Sequence, residues 1–198
     1  MSATPFQIPI ATRRSATGIP TGRLALWWVV ASEIVIFGGL LVCYILYRLH
    51  HPEWAAEAAH TKLAAGALNT FVLLTSSLFV VLAHQAINDK QPDKAVRYLW
   101  YTIAGGLVFL MVKAFEYTTE ISHGFTITKG VFWSFYYLAT GLHATHVIAG
   151  MISMAVVASG VRKGVHLQRV EYVGIYWHFV DMVWLFLFPL FYIASGAS

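Results

Sequence analysis

Residues 24–49 of the chain read LALWWVVASEIVIFGGLLVCYILYRL, an apolar run broken only by Glu33 and by Arg48 near its end. An α-helix rises about 1.5 Å per residue and has to cross about 30 Å of hydrocarbon, so about 20 apolar residues are enough to span a bilayer. The run does not alternate between apolar and polar residues, as a membrane β-strand would. It therefore predicts a transmembrane α-helix.

Four more runs of this kind follow, which predicts an all-α integral membrane bundle of five helices. The predicted spans are residues 24–49, 64–87, 98–121, 131–161 and 172–194, with tails at 1–23 and 195–198. The fourth span is longer than a perpendicular helix needs, so it is expected to tilt or to end early. Pro189 is expected to bend the fifth span because proline removes a backbone donor.

The composition supports a membrane protein. Of the 198 residues 58% are hydrophobic and 11% charged, less than half the roughly 25% charge of a soluble domain. The net charge of +4 comes from basic residues grouped between apolar runs, so nucleic-acid binding is not expected. Cys43 is the only cysteine, which excludes an intrachain disulfide.

Lys and Arg residues outside the spans predict the orientation. Nine lie in the N-terminal tail and the second and fourth loops, against three on the other side, which places the N-terminus in the cytoplasm and the C-terminus outside. The nine are Arg13, Arg14, Arg23, Lys90, Lys94, Arg97, Arg162, Lys163 and Arg169, and the three are Arg48, Lys62 and Lys129.

Several ionisable residues lie well inside the predicted spans. A charge at the bilayer centre costs about 2.5–3.5 kcal/mol on insertion scales, so each is expected to face a partner or water. These residues are Glu33, Lys113, Glu116, His143, His146, His178 and Asp181. Lys113 and Glu116 are three residues apart, which predicts an ion pair on one helix face. Glu120, at the outer end of the same span, is expected to be solvated.

Depth along the helices predicts how the acids and histidines meet. Glu33 and Asp181 each lie about 13 Å from the cytoplasmic start of their spans, and His146 lies in the inner half of the fourth span. One polar layer made by the first, fourth and fifth spans is therefore expected. Within it, we predict that Glu33 hydrogen-bonds a histidine of the fourth span, His146 first and His143 second.

The pairs His143/His146 and His178/Asp181 allow three interpretations. The first is interhelical hydrogen bonding that locks the bundle. The second is a metal site, which the lack of a cysteine cluster or a His-Glu-x-x-His motif disfavours. The third is proton handling. Interhelical bonding is the preferred interpretation.

Motifs along nearly the whole chain resemble cytochrome c oxidase subunit III. In chain order they are the helix with its buried Glu33 after Ser32, residues 68–77 (LNTFVLLTSS), residues 115–117 (FEY), residues 139–150 (ATGLHATHVIAG) and residues 176–188 (YWHFVDMVWLFLF). The last two resemble the signatures of the family's final two helices. The resemblance covers about residues 24–194.

The resemblance implies a short bacterial form in the inner membrane, without the first two of the seven helices found in mitochondrial members. It implies a non-catalytic subunit of a proton-pumping haem–copper terminal oxidase that buttresses subunit I and supports proton uptake and turnover stability. Subunit I is the expected main contact, beside subunit II, other respiratory subunits and membrane lipids. Haems and coppers belong to the partner subunits. On this chain no metal, cofactor or catalytic residue is expected, and bound phospholipid is the only candidate ligand.

Other functions stay open at this stage. Related forms of the last two motifs occur in quinol oxidases, and a subunit of nitric oxide reductase systems is a further relative, while residues 68–77 favour the cytochrome c branch. A transporter would be expected to show inverted repeats and paired broken helices, which the sequence lacks. A membrane metalloenzyme would need His143, His146, His178 and Asp181 to converge on zinc or iron.

Overall fold

The structure is a computed structural model that describes residues 21–193. These residues form six α-helices, α1 (Thr21–His50), α2 (Trp54–Ala58), α3 (Leu63–Asn88), α4 (Pro92–Ser122), α5 (Val131–Arg162) and α6 (Arg169–Phe188), and a π-helical turn at Pro189–Ile193 that extends α6. No β-strand occurs in this part of the chain. The predicted outer tail at 195–198 and most of the tail at 1–23 lie outside the described residues.

Five of these helices are long and apolar enough to cross a membrane, so the predicted all-α bundle of five spans is confirmed. The main difference is α4, which begins at Pro92 rather than at residue 98. Proline fits the first turn of a helix because its missing N–H has no partner there, and Asp93 complements the positive end of the helix dipole. The fourth span does not end early, since α5 is continuous over 32 residues.

Helix α6 lies at the centre of the bundle. It packs against α3, α5 and α1, while α4 packs against α3 and α5 on the far side. Helix α1 is peripheral, because Phe37 and Tyr44 are its only buried residues. The core positions of α6 carry Trp177 and Trp184, both fully buried. The most strongly anchored span is therefore α6 and the least anchored is α1.

Glycine lets α5 and α6 approach closely. A Cβ atom added at Gly150 would lie 2.8 Å from the ring of Trp177. Such small residues at helix interfaces are typical of membrane bundles, in which close backbone packing replaces the hydrophobic effect. By contrast, a Cβ at Gly39 on α1 would have no neighbour within 4 Å.

The π-helical turn at Pro189–Ile193 binds the end of α1 and the connection between α2 and α3. Tyr44 donates a hydrogen bond of 3.0 Å to the Leu190 carbonyl, and Arg48 donates to the same oxygen at 3.2 Å. The Thr61 hydroxyl, between α2 and α3, donates to the Phe191 carbonyl at 3.1 Å. The predicted irregularity at Pro189 thus takes the form of a change from α- to π-helix, and hydrogen bonds from α1 and from Thr61 hold this turn in place.

Candidate functional site: polar groups inside the bundle

The largest polar group inside the bundle surrounds Lys113 of α4. Its ammonium donates to Glu116 Oε2 at 3.0 Å, to the Tyr136 hydroxyl at 3.0 Å and to the Tyr192 hydroxyl at 2.8 Å. Tyr136 in turn donates to Glu116 Oε1 at 2.8 Å. Both charged side chains are buried, with 3% of Lys113 and none of Glu116 exposed. We call Lys113, Glu116, Tyr136 and Tyr192 the lysine cluster.

Aromatic rings line the lysine cluster. The Lys113 ammonium lies 4.8 Å from the ring centres of Tyr117 and Tyr136 and 5.8 Å from that of Trp184. Aromatic faces attract a cation, and more strongly where water is excluded. The predicted spacing of Lys113 and Glu116 therefore yields an ion pair, and the tyrosines supply the other ligands of the ammonium, which the sequence analysis did not predict.

The prediction that Glu120 is solvated is wrong. Only 2% of this residue is exposed, and its Oε1 atom has no hydrogen-bond partner within residues 21–193. Helix α2 and the α4–α5 loop fold over this end of the bundle, since Trp133 of α5 donates to Glu57 of α2 at 2.6 Å and stacks on Phe125 of the loop. The apolar runs do not predict the five-residue α2, which is why this end of α4 was expected to be open to water.

A second polar contact joins α1 to α5. Glu33 Oε2 lies 2.9 Å from His146 Nε2, and the two side chains are 18% and 15% exposed. The other ring nitrogen, Nδ1, lies 2.8 Å from the Leu142 carbonyl oxygen. Because a carbonyl can only accept, Nδ1 carries a proton. The predicted partner of Glu33 is therefore present, but the predicted hydrogen bond is not. The contact has the length of an ion pair without the alignment of a hydrogen bond, as Oε2 has no hydrogen-bond partner in the described chain.

His143 does not take part in the Glu33 contact. Its ring lies between Phe109 of α4 and Trp184 of α6, with ring centres 5.3 Å from each. It is fully buried, and neither ring nitrogen has a hydrogen-bond partner within residues 21–193. Three residues turn a helix by about 300°, which leaves the two side chains about 60° apart around α5. This offset lies at the edge of the core, so that His143 is buried in it while His146 lies at the seam with α1.

A third polar group lies between α3 and α6. Ser77 Oγ and His178 Nδ1 are 2.6 Å apart, and Ser77 also lies close to Asp181. Asp181 is buried, and neither of its oxygens makes a well-formed hydrogen bond in the described residues. The predicted single polar layer is therefore wrong. Asp181 and His178 lie on the side of α6 that faces α3, whereas Glu33 and His146 meet at the seam between α1 and α5.

The four residues of the metalloenzyme alternative are thus divided among three places. Within residues 21–193 no three His, Cys, Asp or Glu side chains converge as metal ligands would. This geometry disfavours a site built from His143, His146, His178 and Asp181, since a structural or catalytic zinc needs at least three such ligands within about 2.3 Å of one point.

Two hydroxyl groups on α3 accept hydrogen bonds from tryptophans of α6, which was not predicted from the sequence. The Trp177 indole N–H donates to Ser76 Oγ at 3.1 Å, and the Trp184 N–H donates to Thr70 Oγ1 at 3.0 Å. The spacing of the residues in the two helices could have indicated these contacts. Trp177 and Trp184 are two turns apart, and Thr70 and Ser76 are separated by a similar length of the facing helix.

The described residues form a multi-pass helical membrane bundle whose buried ionisable groups mostly contact neighbouring helices. Residues 16–196 match the family described as Cytochrome c oxidase subunit III. The chain belongs to this family.

Relatives of known description agree with the match. The chain is 34% identical over 177 residues to Cytochrome c oxidase subunit 3 of Thermostichus vulcanus, with 87% of each chain covered. It is 31% identical over 170 residues to the protein of the same description in Corynebacterium diphtheriae, covering 82% of this chain and 83% of that one. It is also 29% identical over 182 residues to the Heme-copper oxidase subunit I+III of Aeropyrum pernix, covering 86% of this chain and 22% of that longer one.

Proposed function

We propose that the chain is the non-catalytic subunit III of a proton-pumping haem–copper terminal oxidase. The observation that carries this proposal is the match to the subunit III family over residues 16–196. The chain would buttress subunit I and support proton uptake and stability during turnover. The descriptions of the Thermostichus and Corynebacterium relatives favour cytochrome c as the electron donor over a quinol.

The contacts inside the bundle support a role as a scaffold. In the lysine cluster, Lys113 and Glu116 pair with each other and with tyrosines, in contacts that join α4, α5 and the end of α6. Groups held in this way, away from any open cleft, are poorly placed to act on a substrate. The chemistry of oxygen reduction is assigned to the haems and coppers of subunits I and II, and phospholipid is the ligand we expect against this chain.

Two alternative roles for the Glu33–His146 contact are compatible with this proposal. We favour a clasp that holds the peripheral α1 to α5. The 2.9 Å separation of His146 Nε2 and Glu33 Oε2 supports this role, because the contact joins the two helices at their seam. The alternative is a proton buffer near the uptake route of subunit I. Tyr176 of α6, which lies close enough to interact with Glu33, would belong to the same group.

The proposed location is the inner membrane of a bacterium, with the N-terminus in the cytoplasm. Subunit I is the proposed main partner, followed by subunit II and other respiratory subunits. The fused subunit I+III of Aeropyrum pernix supports the choice of subunit I, since one polypeptide carries both parts there.

Native purification tests this function. A tag after Ser198 should co-purify subunits I and II, identified by mass spectrometry, and the optical spectrum of the preparation should show their haems. A preparation that contains this chain without any oxidase subunit would contradict the proposal.

A further inference from the structure

One face of α6 lies open between α1 and α3, and we call it the α6 face. It carries His178, Met182, Leu185 and Phe186, all exposed. Among the Asp, Glu, His, Lys and Arg residues of the described chain, His178 alone is exposed more than two helical turns from either end of its span. It lies seven residues beyond Glu171, whose ion pair with Arg23 occurs near the inner end of the span. His178 is therefore about 10 Å deeper than that pair.

Only one of the two ring nitrogens of the exposed His178 has a hydrogen-bond partner in the described chain. Nδ1 contacts Ser77, but Nε2 makes no hydrogen bond within residues 21–193. One turn further along α6, the buried carboxyl of Asp181 adds a second polar group at the interface with α3. Hydrocarbon offers no hydrogen bond to such a group, and polar side chains at this depth almost always face protein or a water-filled cavity. The α6 face is therefore poorly suited to lipid.

The shape of the α6 face fits a helical partner. An apolar groove of about 370 Å³ runs between α1 and α6, with Phe37, Gly38 and Phe179 among its lining residues. A second groove of about 150 Å³ runs between α3 and α6 and includes His84, Glu171 and His178. The first groove follows residues 179–186 of α6 and the second follows residues 170–178, so recesses lie along most of the α6 face. Rows of side chains on a packed helix fit into recesses of this kind.

The exposed surface of α5 provides a comparison. Ile148, Ile152 and Val156 are exposed and apolar. The exposed hydroxyl of Thr145 donates to the Leu142 carbonyl of its own helix at 2.6 Å. None of these three apolar side chains needs a hydrogen bond, and the Thr145 hydroxyl already has one, so this row of residues suits lipid chains.

We propose that a transmembrane helix of subunit I packs on the α6 face and forms a hydrogen bond with His178 Nε2. The choice of partner rests on the proposed function and is supported by the fused subunit I+III relative. The position of the partner rests on His178, Asp181 and the two grooves. Lipid, a second copy of this chain and another subunit are the competing occupants.

Site-specific photo-crosslinking in the assembled oxidase tests the position. A benzophenone amino acid replaces Met182 on the α6 face or, as the matched control, Ile152 on α5; these side chains are 56% and 61% exposed. After irradiation in membranes, the residue at 182 should crosslink to subunit I and the residue at 152 to lipid. Crosslinks from 182 only to lipid, to a second copy or to another subunit would overturn the inference. Purification of the same samples with oxidase haems would show that the proposed function still holds.

The hydrogen bond is tested separately. His178→Leu should lower the amount of this chain retained by the oxidase after detergent washing by about fivefold or more, while His178→Gln, which can still hydrogen-bond, should retain most of it. Thr145→Val is the control and should have no effect. Equal retention of His178→Leu and wild type would overturn the assigned bond. If His178→Leu fails to accumulate, the crosslinking result decides the position.

Discussion

The lysine cluster and the Glu33–His146 contact both place charged groups within the membrane, but under opposite conditions. Lys113 and Glu116 are buried at the junction of α4, α5 and the end of α6, and every hydrogen of the ammonium has an acceptor. Glu33 and His146 lie at a partly exposed seam, in a contact of ion-pair length without hydrogen-bond alignment. The first arrangement tolerates no loss of a partner. The second can be weakened without exposing an unpaired charge to the core.

This difference follows the architecture. Helices α3, α4, α5 and α6 form the tightly packed part of the bundle, whereas α1 lies at its edge. Polar contacts attach α1 to its neighbours at Arg23, Glu33, Tyr44 and Arg48. A subunit built in this way has a rigid body and one weakly attached span.

The orientation of both regions in the membrane follows from the predicted cytoplasmic N-terminus. A reporter fused after Ser198 should be active only outside the cytoplasm, and one inserted at Gln91, just before α4, should be active only inside. The expected difference between the two positions is all-or-none, and a phosphatase and a fluorescent protein read it out from opposite sides. The reverse pattern would show that the predicted orientation is wrong.

Removing the Lys113 charge should have the largest energetic effect. Lys113→Met leaves the Glu116 carboxylate buried without its partner, which typically costs about 3–5 kcal/mol. Unfolding in detergent, followed by the tryptophan signal, measures the loss. Lys113→Met combined with Glu116→Gln should recover much of it, because no unpaired charge remains.

The matched control for this pair of variants is Lys163→Met, since Lys163 is an exposed lysine at the end of α5. It should unfold like the wild type. Equal stability of Lys113→Met and Lys163→Met would show that the lysine cluster does not hold the bundle together.

Packing between α5 and α6 should be sensitive to a single methyl group. Gly150→Ala forces its Cβ against Trp177 and is expected to cost about 1–3 kcal/mol. Gly39→Ala on α1 meets no neighbour and should leave stability unchanged or raise it, since alanine favours helices more than glycine. Thermal unfolding of the two variants side by side is the measurement. The opposite ranking would mean that α1 is the rigid span.

The Glu33 contact should contribute least, because it is partly exposed and poorly aligned. Glu33→Ala is expected to weaken the attachment of α1 by about 1 kcal/mol, seen as lower retention in the oxidase or a shorter turnover lifetime. Ser32→Ala is the control, since the Ser32 hydroxyl bonds the Val29 carbonyl of its own helix.

Glu33→Gln separates the two roles of this carboxyl, since the amide still hydrogen-bonds but does not titrate. A clasp predicts normal assembly and normal kinetics for this variant. A proton buffer predicts normal assembly with proton uptake that slows at high pH. If Glu33→Ala changes neither retention nor turnover lifetime, Glu33 has neither role.

The sequence predicted the features that depend on one helix at a time. The five spans follow from uninterrupted apolar runs, and the Lys113–Glu116 pair follows from a three-residue spacing. Depth counting also placed His146 opposite Glu33, because both are measured along straight helices from the same membrane surface.

Features that depend on the rotation of helices or on loop packing were not predicted. His178 and Asp181 lie at a suitable depth for the predicted layer, yet the twist of α6 turns them toward Ser77. Glu120 is buried at the end of α4 that α2 and the α4–α5 loop cover, and nothing in its local sequence indicates the contact between Trp133 and Glu57 that closes this end. The depth of a residue in the membrane follows from its position along a helix. The direction in which its side chain faces, and whether a loop covers it, depend on tertiary packing.

Removing this chain from the oxidase tests the central claim, a subunit that stabilises the complex without redox chemistry. The oxidase purified from a deletion strain should keep its haem spectrum and most of its initial rate of oxygen reduction. During sustained turnover it should lose activity faster than the complete enzyme, and adding the chain back should restore the lifetime. Loss of haem signal in the deletion strain, together with stoichiometric iron or copper on the isolated chain, would contradict the account.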